Sequence, residues 1–217
     1  MTLMRRFRLL FSPFHRGINY YKNYSVVMKR DLNTMSIYSN LKKEAGKSKD
    51  ILDFGCGIGY VTAFLGAAGV DINKSALEFA GKHYPKIKFM DKTIQGLVKA
   101  GNKYSVITCV NLIEHLEDEI REEWFKAVPK ILKKGGKMLV VYDDMYHPMQ
   151  LLSGIIHPGM LLTDPSHVRC WTQKQFRKVL EEKFVIEKEI KGNILALFLP
   201  WTNRFATARL YVCRVKK

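Results

Sequence analysis

The chain has 217 residues, enough for one large domain with a sizeable core, and its 47% hydrophobic and 26% charged residues exclude a disordered or low-complexity protein. No apolar run approaches the roughly 18 residues that a transmembrane helix needs, so none is expected. The formal net charge of +16 favours anionic partners such as nucleic acid, a phospholipid surface or a phosphorylated substrate, with a merely soluble basic surface as the alternative.

Half of that excess lies in residues 1–50, where eleven Lys/Arg face three acids. Leu3, Met4, Phe7, Leu10 and Phe11 recur there at helical spacing, with Arg5 and Arg8 elsewhere on the wheel. A basic amphipathic helix of this kind suits an anionic membrane, a lid over the protein's own domain, or an organellar targeting segment. Tyr20, Tyr21 and Tyr24, with Lys22 between them, form an aromatic and basic stretch that would stack bases or, as the better reading, pack over a ligand pocket. Residues 1–49 are expected to form helices across the ligand edge of the domain that follows. The basic start has no apolar h-region with a small-residue cleavage site, so a secretory signal is not expected. Cys56, Cys109, Cys170 and Cys213 are far apart and form no C-x-x-C pair, which predicts reduced thiols and a cytoplasmic protein, peripheral to a membrane if the N-terminal helix binds one.

From residue 50 short apolar runs alternate with helical patterns, the mark of a parallel sheet covered by helices. Strands are predicted at Asp50–Phe54, Gly69–Ile72, Ile87–Met90, Ser105–Val110, Lys137–Tyr142, Val185–Ile190 and Ala208–Arg214. Helices are predicted at Tyr60–Leu65, Lys74–His83, Asp118–Leu132 and Thr172–Lys183. Asn73 and Thr172 stand where their side-chain oxygens would cap a helix, and Lys133-Lys134-Gly135-Gly136 reads as a helix C-terminus. Residues 143–171, punctuated by Pro148, Gly154, Pro158, Gly159 and Pro165, leave the carboxyl end of the fifth strand, where open α/β sheets bind ligands. The domain boundaries expected are therefore 1–49 for the basic segment and 50–217 for the α/β domain, with 143–171 on its substrate side.

The chemistry centres on Asp53-Phe-Gly55-Cys56-Gly57-Ile-Gly59, a buried strand that ends in an acid and turns through three glycines into a helix. The glycines permit positive φ and close backbone approach, and the helix start offers free N–H groups to a carboxylate. Asp71 ends the next strand, where a carboxylate can hold both hydroxyls of a ribose. Dinucleotide sites share this physics, but the spacing is G-x-G-x-G, not G-x-G-x-x-G, and a third acid, Asp91, ends the third strand candidate.

These residues resemble a known family. Asp53–Tyr60 resembles motif I of the class I S-adenosylmethionine (SAM)-dependent methyltransferases, and Gly69-Val-Asp71-Ile72-Asn73 resembles their acidic second-strand motif. Asp91-Lys-Thr93-Ile looks like their adenine-side segment, Asn111-Leu-Ile-Glu114-His115-Leu their fourth-strand "EHL" motif, and Leu132-Lys-Lys-Gly-Gly their entry to strand five. Asp164-Pro-Ser-His167-Val-Arg-Cys-Trp171-Thr resembles a further family stretch before the next helix. The pattern is departed from at Ser105, where Asp is common, at Lys134, where Pro is common, and between the two acids, where about four residues fewer than usual imply a truncated helix or strand.

The resemblance implies a Rossmann-like seven-stranded sheet of order 3-2-1-4-5-7-6, strand 7 antiparallel, with helices on both faces. It implies SAM as the cofactor and S-adenosylhomocysteine (SAH) as its product. Gly55, Cys56, Gly57 and Gly59 would face the methionine portion, with Asp53 ordering the turn. Asp71 and Ile72 would lie at the ribose, Asp91 and Thr93 beside the adenine, and Asn111 under the sulfonium. Candidate bases are His115, His147, His157 and His167. Glu114, His115 and His167 also resemble part of the metal site of small-RNA 3′-terminal 2′-O-methyltransferases. Asn111 replaces the first Glu of that E-x-x-E-H pattern, however, so no metal is expected. The absence of N-P-P-Y after strand four argues against an adenine-N6 enzyme. The reading reached is methyl transfer to a small-molecule or lipid-linked acceptor. An RNA methyltransferase comes next, supported by charge but by no RNA-binding module; a non-catalytic SAM-binding partner protein and a nicotinamide enzyme come behind it.

Overall fold

A computed structural model describes residues 36–48, 50–144, 168–192 and 208–216. In chain order these form α1 (Ser36–Ala45), β1 (Ile51–Phe54), α2 (Tyr60–Leu65), β2 (Ala68–Asp71), α3 (Lys74–His83), β3 (Phe89–Asp91), α4 (Ile94–Lys99) and β4 (Tyr104–Val110). A 3₁₀ turn (Ile113–His115) leads into α5 (Asp118–Ile131), β5 (Leu132–Asp143), α6 (Gln173–Glu181), β6 (Phe184–Gly192) and β7 (Ala208–Val215).

The sheet has seven strands in the order β3-β2-β1-β4-β5-β7-β6. β1 pairs in parallel with β2 and β4, β2 with β3, and β4 with β5, while β7 runs antiparallel between β5 and β6. This is the expected Rossmann-like architecture.

Strand alternation divides the interior into two cores. Leu52, Ile107, Cys109 and Val140 face one side, where α4, α5 and α6 bring Leu97, Trp124, Val128, Ile131, Phe176 and Leu180. Ile51, Val106, Leu139, Val141, Leu210 and Val212 face the other, covered by Ile37, Tyr38, Leu41 and Ala45 of α1 and by Val61 of α2. Of the helices expected across the ligand edge, the described one therefore covers a sheet face. Only its first turn reaches the edge, where Ile37 lies so close to Gly192 that a β-carbon there would stand 2.5 Å away.

Local chemistry explains most boundaries. Asn73 caps α3 by accepting from the Ala76 N–H at 3.1 Å. Thr172 and Gln175 form a reciprocal capping box at the start of α6. α2 lasts only six residues because Gly66, at φ 67°, closes it and returns its N–H to Ala63, which is where the shortened stretch between the two acids is absorbed. One helix is additional to those expected, and one expectation needs correction. Thr93 caps α4, a helix that the sequence pattern did not reveal. Lys133–Gly136 does not end α5, which closes at Ile131 with Leu132 already extended. Leu132 pairs with Tyr104 and Lys137 with Val106, so the four residues between form an irregularity within β5.

Candidate functional site

β1 delivers the glycine turn to the carboxyl edge of the sheet, between the ends of β2 and β4. Gly55, Gly57 and Gly59 all have positive φ, at 75°, 50° and 77°. The N–H groups of Gly55 and Cys56 both donate to the Val70 carbonyl, at 2.8 and 3.1 Å, which fastens the turn to β2. Space is as restrictive as backbone conformation. A β-carbon on Gly55 would stand 2.8 Å from the Leu112 side chain, and one on Gly59 would stand 2.5 Å from the Phe89 ring.

Asp71 closes the turn from the second strand. One carboxylate oxygen accepts the Gly57 N–H at 2.8 Å and the other accepts the Asn73 N–H at 2.8 Å. Each oxygen keeps a further lone pair, so the carboxylate is held rigidly while still able to accept two hydroxyls. Ile72, beside it, is 71% exposed, an apolar side chain standing in solvent next to a polar one. Across the register from Asp71, Asp91 ends β3 with its carboxylate half-exposed, 3.6 Å from the Lys74 ammonium. Thr93 is occupied as the α4 cap, accepting from Gly96 N–H at 3.2 Å.

Asp53 and Cys56 point inward. Asp53 is 2% exposed, and its two oxygens accept the hydroxyls of Thr62 at 2.7 Å and Thr108 at 2.8 Å. It thereby ties β1 to α2 and β4 behind the turn. Burial raises its carboxyl above the ordinary carboxylate range, against the lowering pull of the two threonines. Cys56 is buried with its Sγ against Gly69, and desolvation pushes its thiol well up, so it is an unreactive packing group.

On the other side of the turn, Asn111 follows β4 with φ 47°, the one positive φ outside glycine among the described residues. Its N–H donates to Val141 O at 3.0 Å and its Nδ2 to an Asp143 oxygen at 2.9 Å. Its Oδ1 is buried and has no hydrogen-bond partner among the described residues. Asp143 ends β5 at this edge, a position that the sequence pattern assigns to the start of a loop. The signal was present, since two successive acids, Asp143 and Asp144, end the apolar run Met138–Tyr142.

Glu114 is 4% exposed, and its carbonyl accepts the N–H groups of Val168 and Arg169, so it fastens the returning chain to the 3₁₀ turn. His115 lies on the same turn, its N–H donating to Leu112 O at 2.9 Å. His147, His157 and His167 lie outside the described residues. Among the described residues no group of three or more His, Cys, Asp or Glu side chains is placed to hold a metal ion, and no helix is long and apolar enough to cross a membrane.

Polar side chains thus stand at the ends of β3, β2, β4 and β5, around a backbone turn with no room for a β-carbon at Gly55 or Gly59. That arrangement fits a nucleoside linked to an amino acid. A family model described as a methyltransferase domain matches residues 51–136. The chain is 32% identical over 183 residues to a ubiquinone biosynthesis O-methyltransferase of Coxiella burnetii, covering 70% of this chain and 77% of that one. The chain belongs to the class I SAM-dependent methyltransferases. A SAM-dependent methyltransferase from Clostridium acetobutylicum superposes with a TM-score of 0.64 at 16% identity, covering 91% of this chain and 99% of that one. The magnesium protoporphyrin IX methyltransferase of Synechocystis, solved with bound SAH, superposes at 0.55 and 16% identity, covering 84% of this chain and 80% of that one. The methyltransferase described here therefore uses SAM and releases SAH.

Proposed function

We propose that this methyltransferase transfers a methyl group to a hydroxyl oxygen of a small-molecule or lipid-linked acceptor. The observation that carries the reading is the 32% identity, over three quarters of its length, to a relative named as a ubiquinone biosynthesis O-methyltransferase. The basic excess in residues 1–50 supports an acceptor met at an anionic membrane surface, where such a segment would dock.

The geometry supports the following residue roles. Gly55, Gly57 and Gly59 present backbone to the methionine portion of SAM. Asp71, locked by Gly57 and Asn73, takes the ribose hydroxyls. Ile72 offers its exposed face to the adenine, Asp91 its edge, and Thr93 acts through the helix that it caps. Asp53 and Cys56 hold the turn from behind. Asn111 stands at the boundary between donor and acceptor. SAM supplies a methyl carbon already activated by positive sulfur, so the protein must chiefly align the acceptor oxygen in line and exclude water. His115, His147 and His167 remain the histidines proposed to take the acceptor's proton.

Incubation of the purified chain with methyl-labelled SAM tests this, using a panel of catechols and hydroquinones beside transfer and ribosomal RNA. Label in an ether of a hydroxyl acceptor is expected. Label in RNA alone would overturn the reading.

A further inference from the structure

β4 and β5 end side by side, with Val110 opposite Val141, and the chain then turns sharply at Asn111. A left-handed φ is tolerated by Asn better than by most residues, yet it still costs energy and persists where its surroundings enforce it. Here the enforcement is the pair of bonds that Asn111 makes to β5, backbone to Val141 and side chain to Asp143.

The face on which Asp143 lies follows from strand alternation. Leu139 and Val141 belong to the core under α1 and α2, so Asp143 continues that face. It is the face on which α2 begins at Gly59, the end of the glycine turn. Opposite Asp143 on β7 stands Ala208, packed against the same core, whose side chain is a single methyl group. Counting outward from the turn, Asn111 ends the adjacent strand and Asp143 the next, roughly 5 Å further on. Asp71 lies on the opposite side, at the end of β2.

The hydrogen-bonding character of this corner is one-sided. An ionised carboxylate only accepts, so the Asn111 amide must turn its NH₂ towards Asp143. That leaves its Oδ1, another acceptor, on the remaining side. No described residue donates to the second Asp143 oxygen either. Among the described residues, the corner offers two free acceptors against the one remaining N–H of the Asn111 amide.

Resting on the hydroxyl-acceptor reading above, we propose that Asp143, oriented by Asn111, receives the hydrogen-bond donor of the methyl acceptor and restricts this site to hydroxyl or neutral amine acceptors, excluding carboxylates. When a hydroxyl reacts, its oxygen forms the new bond to the methyl carbon as the carbon–sulfur bond breaks and its electron pair stays on sulfur. The hydroxyl proton passes first to the Asp143 carboxylate, rather than directly to one of the histidines proposed above, and from there to solvent. Burial raises the Asp143 carboxyl above the ordinary range, partly offset by the Asn111 hydrogen bond, which favours taking up that proton.

The test compares SAH with sinefungin, a SAM analogue that carries a primary ammonium group where the sulfonium methyl would be. Calorimetric titration of the full chain is expected to show sinefungin binding about tenfold or more tighter than SAH, the worth of one charge-assisted hydrogen bond. In Asp143→Asn that preference should vanish while SAH affinity stays within about twofold of wild type, and Asp143→Glu should restore part of it. A wild type without a sinefungin preference, or variants that keep it, would overturn the assignment. Methyl transfer to catechol is measured in the same proteins. A collapsing sinefungin preference without wild-type transfer to any hydroxyl compound would sink the hydroxyl reading and leave Asp143 in place. Transfer that proceeds at wild-type rate in Asp143→Asn would do the reverse.

Discussion

Two glycine-rich turns sit at opposite ends of the same sheet, and their difference shows what separates a ligand turn from a structural one. The turn after β1 lies at the carboxyl edge, has three positive-φ glycines in five residues, and is crowded by Leu112 and Phe89 so that no β-carbon fits at Gly55 or Gly59. The turn at Lys133–Gly136 lies at the amino edge, where β5 enters the sheet. There Gly135 is positive in φ at 73° but faces open space. Lys133 pairs with Asp50 at 2.5 Å, and the Arg214 guanidinium donates to the Gly135 carbonyl. Composition is similar in the two. Position on the sheet, and an acid, Asp71, that accepts a backbone N–H of the turn itself, distinguish them.

The comparison breaks most visibly at Gly59. Gly59→Ala combines the left-handed penalty of about 1–2 kcal/mol with overpacking against Phe89 and Ala80, for a loss of roughly 3 kcal/mol. A thermal melt should fall by about 10 °C and SAH binding should disappear. Unchanged melting and binding would mean that the turn is not under the constraint described. Gly135→Ala meets no neighbour, so it should cost only the conformational term, about 1 kcal/mol, with SAH affinity within about twofold of wild type.

Asp53 sharpens the contrast through pH, because only the first turn has a buried acid behind it. Its carboxyl is raised in the folded state, so its contribution is fully present below the ordinary carboxylate value and is lost as pH rises through the raised one. Asp53→Asn lacks this titration. Its stability relative to wild type should therefore improve from pH 4 to pH 7, with a slope no steeper than about 1.4 kcal/mol per pH unit, the limit for one proton. Denaturant midpoints at several pH values would show it, and a flat difference would contradict it.

The strands were legible in the sequence because buried parallel strands leave near-continuous apolar runs, and Ile51–Phe54 and Tyr104–Val110 are such runs. α4 was not, since six residues containing Gly96 give no usable helical period. The start of β5 was hidden because Leu132 pairs one residue before a charged, glycine-rich stretch that looks like a helix end. The glycines and Asp71 could be read from spacing because they are neighbours in one β-α-β unit. What holds Asp53 could not, since Thr108 lies 55 residues away and meets it only through the pairing of β1 with β4. The same reason hid Asp143, whose partner Asn111 lies 32 residues earlier on the adjacent strand.

The most direct test of the account is calorimetric titration of the purified chain with SAH, beside Asp71→Ala. If the glycine turn and the β2 carboxylate form the cofactor site, wild type binds in the micromolar range. The variant, having lost two charge-assisted hydrogen bonds, binds at least about a hundredfold more weakly while still melting cooperatively. A folded wild type that does not bind SAH, or a variant that binds it equally well, would contradict the account.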